Sequence, residues 1–203
     1  MLLVAAIALV VCVVAGLLGG PGTTLDVDLI RALAEQRAAH PAKTSIAILL
    51  TNGGGVTAMI AILSAVLAIM AFHRRWQDAA MFAGTVLGGR LLIELLKLLV
   101  DRPRPAFGPY PVEVSSMSFP SGHAGNSMIT FLAIALIVVP ARYRAVAASV
   151  SVLLSGMIGA TRPFLGVHWP SDVVAGWAFG IAWVVSLATA SDYWRASRAN
   201  RAA

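Results

Sequence analysis

Charge is scarce in this chain. Only 12% of its 203 residues are Asp, Glu, Lys or Arg, about half the share that a soluble domain carries. A well-solvated globular surface is thereby excluded over most of the molecule. Cysteine is scarcer still, with Cys12 alone. No intrachain disulfide and no cysteine-based metal cluster is open to it, and Cys12 reads as a small apolar residue within a helix. Acidic residues number 9 against 15 Lys and Arg, for a formal net charge of +6. No basic stripe interleaved with aromatics accompanies that excess, so nucleic acid is not an expected partner. The chain also lacks a linker, a low-complexity stretch and a repeat at solenoid periods. Residues 1–203 are therefore expected to form a single membrane-integral domain.

What abounds is apolar sequence, 59% of the residues. Six runs, at 2–18, 57–72, 79–100, 124–139, 145–160 and 173–190, approach the ~20 residues that a helix needs to cross a bilayer. None alternates as a transmembrane barrel strand would, and a backbone in lipid must satisfy its own hydrogen bonds. The expected fold is all-α, a six-transmembrane helical bundle. Loop charge gives its orientation. Arg74 and Arg75, Arg142 and Arg144, and the tail cations Arg195, Arg198 and Arg201 fall on one side. The other side receives Arg31, Arg37 and Lys43, offset by Asp26, Asp28 and Glu35. The first side is expected to be cytoplasmic, with both termini there.

The first run lacks the basic start of a secretory signal. Val11 also sits where a lipobox at Cys12 would want a small residue, so this run reads as the first membrane helix. Residues 25–39 place Leu25, Leu29, Ile30 and Leu33 at helical spacing, as in an interfacial amphipathic helix. Asn52 and the glycines at 53, 54 and 55 read as a break before the second span. The absence of an Asn-x-Ser/Thr glycosylation acceptor fits a bacterial membrane protein.

Against this apolar background the third run stands apart. Arg90, Glu94, Lys97, Asp101 and Arg104 recur at steps of four, three, four and three, which puts the first four on one helix face. Charges at membrane depth are costly and face a bundle interior or an aqueous cavity. Arg90 with Glu94, and Glu94 with Lys97, are expected to form a structural ion-pair ladder. Lys97 nears the outer end, where its stem can snorkel. Arg104 follows in a loop stiffened by Pro103 and Pro105. Arg102 is a second candidate for the same role.

Two later motifs lie on the same side. Pro120, Ser121, Gly122 and His123 open the fourth run. A helix start offers free N–H groups and the positive dipole end to an anion, and Gly122 leaves room for close approach. Arg162 closes the fifth run, His168 precedes Pro170, and Asp172 falls in the first turn of the sixth. A carboxylate there is placed to hold one ring nitrogen of His168 and leave the other as a nucleophile or base. About 40 residues separate His123 from Arg162, which is two crossings and a turn. Lys97, His123, Arg162 and His168 are thus expected at one membrane face.

Read as K-x6-R-P, P-S-G-H and R-x5-H-x3-D, these stretches resemble in order and spacing the phosphatidic-acid phosphatase type 2 (PAP2) superfamily of membrane lipid phosphatases. They resemble above all its bacterial members that act on phosphatidylglycerophosphate or undecaprenyl pyrophosphate. Thr161 stands where the family pattern often has Ser and keeps the hydroxyl. The resemblance implies a metal-independent phosphatase without a cofactor, whose partners are a lipid phosphate substrate and membrane lipids, with no obligate protein partner. In it His168 is the nucleophile, Asp172 orients it, and His123 protonates the leaving oxygen. Lys97, Arg104, Arg162, Ser121 and Gly122 form the phosphate cradle. The implied place is the plasma membrane, with the site facing outward. A phosphotransferase on the same scaffold remains open. A transporter or lipid-binding protein would explain the charged third run but not the later motifs. Six apolar runs disfavour the soluble vanadate-dependent haloperoxidases, whose site is similar.

Overall fold

The computed structural model describes residues 1–21 and 23–202. Gly22 and Ala203, and the side chains at 195, 198, 199, 201 and 202, lie outside the described residues. The tail cations Arg195, Arg198 and Arg201 of the loop-charge argument therefore lie outside them too.

The fold is all-α, with no strand among the described residues. The helices are α1 (Leu2–Leu18), α2 (Thr24–Ala39), α3 (Pro41–Asn52), α4 (Val56–Phe72), α5 (Trp76–Val100), α6 (Gly122–Ala133), α7 (Arg144–Phe164) and α8 (Pro170–Ala202). Every expected apolar run is helical. A π-helical turn, Ile134–Val138, prolongs α6. Four stretches are long and apolar enough to cross a membrane, namely Pro41–Phe72, Trp76–Val100, Ala141–Phe164 and Pro170–Trp194. Leu2–Leu18 and Gly122–Val138 are apolar but shorter. The glycine break appears as a turn between α3 and α4.

The bundle is built around α6, which packs on α5, α7 and α8, while α1 lies along α8. Large side chains fill one end of this centre, with Phe82, Ile129 and Val184 fully buried. At the other end small residues let backbones meet. A Cβ on Gly176 would lie 2.7 Å from the Ser121 carbonyl and 3.0 Å from the Gly125 nitrogen. Membrane helices have little hydrophobic drive toward one another, so such close approach supplies the packing energy. Its consequence is positional, because it presses the start of α6 against the start of α8. Cys12 is buried between α1 and α8 beside Phe119, Ala175 and Ala178, as a small apolar residue.

Helix α2 does form, but its packed face differs from the expected one. Leu25 is 73% exposed and Leu29 43%, whereas Asp26 and Ile30 are buried. Asp26 accepts hydrogen bonds from the backbone N–H of Gly20 (2.6 Å) and of Ser171 (3.1 Å) and from the Ser171 hydroxyl. A carboxylate with three donors wins the inward position from the leucines, because it answers the free N–H groups at the start of α8.

Candidate active site

Helix α5 stops at Asp101, whose left-handed backbone (φ 48°) turns the chain out of the helix. The following loop folds back, and the Ser118 N–H donates to the Arg102 carbonyl at 2.9 Å. It is anchored on the α7–α8 connection by the Trp169 indole N–H, which donates to the Pro103 carbonyl at 2.8 Å. At the start of α6 the Ser121 N–H donates to the Asp172 carbonyl at 3.0 Å. These bonds bring all three motifs to one cavity of about 360 Å³.

Lys97, Arg104, Gly122, His123, Arg162 and His168 all line that cavity. His168 is 2% exposed. Its Nδ1 faces the Asp172 Oδ2 at 3.5 Å and the Ser118 hydroxyl at 3.4 Å. Its Nε2 lies 3.1 Å from Arg104 Nη1. A guanidinium can only donate, so Nε2 is the acceptor and the ring proton sits on Nδ1, toward the carboxylate. Burial pushes His168 down to about 4; Asp172 pulls it back, and Arg104 and Arg162 push it further down. The ring is neutral near pH 7, with its Nε2 lone pair on the cavity side.

Asp172 is fully buried and answered on all sides. Arg102 Nη1 donates to Oδ1 at 2.8 Å, the Trp169 N–H donates to Oδ2 at 2.9 Å, and Ser118 donates to Oδ2. Arg102 also donates to the Ala15 and Gly16 carbonyls and stacks 4.5 Å over the Phe119 ring. The two arginines of the loop are thereby sorted. Arg102 belongs to the scaffold behind Asp172, and Arg104 reaches the cavity. Arg104 is held there by the carbonyls of Val167 (2.5 Å) and Ser116 (2.8 Å).

The remaining cations are placed with equal definition. Lys97 Nζ pairs with Glu94 Oε1 at 3.2 Å and bonds Ser116 Oγ at 3.1 Å. A Cβ on Gly122 would lie 3.3 Å from that ammonium, so the glycine keeps the approach to Lys97 clear. Arg162 donates to Thr51 Oγ1 at 2.8 Å, while its Nε is buried with no partner. The Ser121 hydroxyl is likewise buried and unpartnered. Orphaned groups of this kind cost ~1–3 kcal/mol each.

Three details depart from expectation. The Ser121 N–H is spent on Asp172, so Ser121 has only its hydroxyl to offer. Glu94 pairs with Lys97, and Arg90 forms no ion pair with it; the ladder has one rung. Ser118, Thr51 and Gly54 are contributors that motif spacing did not single out. Ser118 lies two residues before Pro120, the only hint the sequence held. Gly54 is legible only in space, since a Cβ there would meet Ile158 Cγ2 at 2.3 Å and His123 Cδ2 at 3.4 Å.

Residues 78–196, more than half of the chain, match the PAP2 superfamily. Phosphatidylglycerophosphatase B of Bacillus subtilis is 29% identical over 137 residues, covering 65% of this chain and 67% of that protein. Lipid A 1-phosphatase of Rhizobium etli is 38% identical over 134 residues, covering 62% and 54%. Decaprenylphosphoryl-5-phosphoribose phosphatase of Mycobacterium tuberculosis is 32% identical over 119 residues, covering 57% and 63%. The chain thus spans about half to two thirds of the curated relatives it matches. Among solved structures, a transmembrane PAP2-type phosphatidylglycerolphosphate phosphatase from Bacillus subtilis superposes with a TM-score of 0.78 at 22% identity, over 94% of each chain. The LpxE of Aquifex aeolicus follows with 0.61 at 22%, over 82% of this chain and 96% of that one. These neighbours share the fold of a multi-pass membrane bundle. The matched segment contains the two histidines, the carboxylate and the three cations that converge on the cavity, and the chain belongs to the PAP2 superfamily.

Proposed function

We propose that this protein is an integral-membrane, metal-independent lipid phosphate phosphatase working through a phosphohistidine. One observation carries the reading. A neutral imidazole, its Nε2 lone pair on the cavity side, shares that cavity with Lys97, Arg104, Arg162 and a second imidazole, His123. The names of the relatives, all phosphatases of lipid phosphates, support it.

The chemistry follows from the charges. A phosphate ester brings concentrated negative charge, which the three cations, the Gly122 N–H and the Ser121 hydroxyl stabilise as it moves. His168 Nε2 attacks phosphorus. The N–P bond forms while the bond to the lipid oxygen breaks, and His123 gives its proton to that oxygen. Water then attacks phosphorus, His123 takes the water proton, the N–P bond breaks and phosphate leaves. Asp172 holds the Nδ1 proton and stabilises the charge that grows on the ring. Asp172 is already saturated by Arg102, Ser118 and the Trp169 N–H, so it is not available as a metal ligand, and the cations take that electrostatic role.

On the loop-charge argument the cavity opens to the outer face of the plasma membrane. The preferred substrate in this reading is undecaprenyl pyrophosphate, with other lipid phosphates also turned over. The Mycobacterium relative is a decaprenylphosphoryl-5-phosphoribose phosphatase, which favours a polyprenyl tail. The names of the Bacillus proteins favour phosphatidylglycerophosphate as the second reading.

The test is phosphate release by the purified protein from polyprenyl pyrophosphate, phosphatidylglycerophosphate and phosphatidic acid in mixed micelles, with and without a chelator. Release that survives chelation and stops with vanadate is expected. Label from a radioactive phosphate ester should be trapped as an acid-labile, base-stable adduct in the wild type and be missing in His168→Ala. Turnover restored only by added magnesium, or an adduct that persists in His168→Ala, would refute the mechanism.

A further inference from the structure

Arg90 is a cation that the reaction just described does not use. It lies seven residues before Lys97 on the same face of α5, about 10 Å deeper along the helix axis. Glu94, its expected partner, is taken by Lys97. Among the described residues Arg90 makes no ion pair and no hydrogen bond, yet its side chain is only half-buried within a membrane-spanning helix. An unneutralised guanidinium at that depth is costly unless something anionic or aqueous meets it.

The surroundings point to what meets it. Arg90 and Asn126 line the catalytic cavity and also a second, small cavity of about 30 Å³ between α4, α5 and α6. Thr130, one helical turn from Asn126, lines the second cavity as well. The Thr130 hydroxyl and the Asn126 side-chain carbonyl oxygen are buried with no hydrogen-bond partner. Arg90 and the Thr130 hydroxyl thus bring unmet donors to an inner ledge next to the phosphate cradle, and a half-turn of the Asn126 amide puts its NH2 in place of the unpartnered oxygen. An apolar seam that carries the lipid tail in this proposal adjoins the ledge. Ile60 and Leu87, which wall the small cavity, are more than half exposed on the outside of the bundle, where lipid is.

We propose that Arg90, Asn126 and Thr130 form a second anion subsite, which holds the inner, tail-linked phosphate of a lipid diphosphate while the terminal phosphate sits between His168 and His123. This rests on the phosphatase reading and deepens it, because it assigns residues to the inner phosphate. The order of groups matches the order of residues. In a lipid diphosphate the tail is followed by the inner and then the terminal phosphate, just as the tail seam is followed by Arg90 and then by the Lys97, Arg104 and Arg162 cradle. Arg90 also helps catalysis on this substrate, since the inner phosphate is the leaving group and gains negative charge as the P–O bond breaks. His123 supplies the proton to the bridging oxygen, and the products are inorganic phosphate and the lipid monophosphate. A lipid monophosphate has no group for the ledge and forgoes this contact.

The test compares a polyprenyl diphosphate and a polyprenyl monophosphate with the same tail, using wild type, Arg90→Gln, Arg90→Lys and Thr130→Val. The readout is the ratio of kcat/KM for the diphosphate to that for the monophosphate. Arg90→Gln should lower this ratio at least tenfold, Arg90→Lys should recover most of it, and Thr130→Val should lower it by a smaller factor. In the wild type, inorganic pyrophosphate should inhibit at lower concentration than inorganic phosphate, and Arg90→Gln should close that gap. Equal losses on both substrates, or an unchanged ratio in variants that keep the wild-type elution profile and Tm, would overturn the subsite. Wild type active on the monophosphate alone would overturn it too, while leaving the phosphatase reading intact. Wild type inactive on every lipid phosphate would instead overturn the phosphatase reading itself.

Discussion

His168 and His123 share a cavity, but their settings differ. His168 is locked between Arg104 and the Ser118–Asp172 pair, whereas His123 makes no hydrogen bond to another side chain among the described residues and borders the open glycine turn. A locked ring suits a nucleophile whose lone pair must stay aimed, and a freer one suits a group that delivers a proton and then recovers it. His123→Ala should therefore lose most activity, about a hundredfold or more, on an alkyl phosphate and be partly spared on a nitrophenyl phosphate, whose leaving group needs no proton. Equal losses in kcat on both would count against His123 as the acid. In the proposed mechanism Ser118 positions the nucleophile, through its contacts to His168 and Asp172. Its hydrogen bond to a buried carboxylate belongs to a class worth ~1.5–3 kcal/mol, so Ser118→Ala should lower kcat/KM about ten- to a hundredfold, with KM moving less than kcat.

The same ring predicts a pH profile. Burial lowers His168 to about 4, from ~6.5 for a free histidine. The reactive form is the neutral one, present above that value and lost as pH falls through it. After correction for the ionisation of the substrate, the acidic limb of kcat/KM is expected near 4. A limb near 6.5 would mean that the ring is solvated in the working enzyme.

Helix ends and turns, more than helix bodies, make the site. The start of α6 bears on the start of α8 because Gly125 and Gly176 have no side chains to hold them apart. The Gly53–Gly55 turn lets α3 and α4 close over His123 and Ile158. A methyl at Gly54 would fall 2.3 Å from Ile158 Cγ2, so Gly54→Ala must displace the turn or α7. Loss of activity and a lower Tm are expected. Removing the obstructing methyl in Gly54→Ala/Ile158→Ala should return part of the activity. A double variant no better than the single one would show that the Ile158 contact does not set the position of the turn. Helix α2 contributes through Asp26 and Ser171, which tie it to the first turn of α8, directly beside Asp172.

The molecule as a whole presents apolar side chains outward along most of its helices, with Leu91, Leu98, Val146 and Leu153 each at least 60% exposed. The long loop of residues 101–121 lies at the end that holds the cavity. Sidedness is therefore a testable property of the whole bundle. Single cysteines at Ala106 and Ala141, both exposed, are to be placed in a Cys12→Ser background. An impermeant thiol reagent on intact cells should label the first and miss the second. The reverse pattern would turn the cavity to the cytoplasm.

Much of this protein follows from sequence by itself. A chain with 12% charge and six long apolar runs has few ways to satisfy its backbone, so helices in a membrane follow from composition. The spacing of Lys97, Arg104, His123, Arg162 and His168 at or just beyond the ends of those helices was enough to bring them to one cavity, with Asp172 behind His168, since helix length fixes where each run returns. Spacing could not tell Arg102 from Arg104, because both lie in one loop and only the fold decides which guanidinium meets Asp172 and which meets His168. Nor could it see that Glu94 would take Lys97 and leave Arg90 unpaired, since three and four residues are equally good helical spacings. Ser118, Thr51 and Gly54 act across contacts between segments far apart in the chain. Such contacts depend on how closely the helices approach one another, and that distance is set by packing and appears nowhere in the order of the residues.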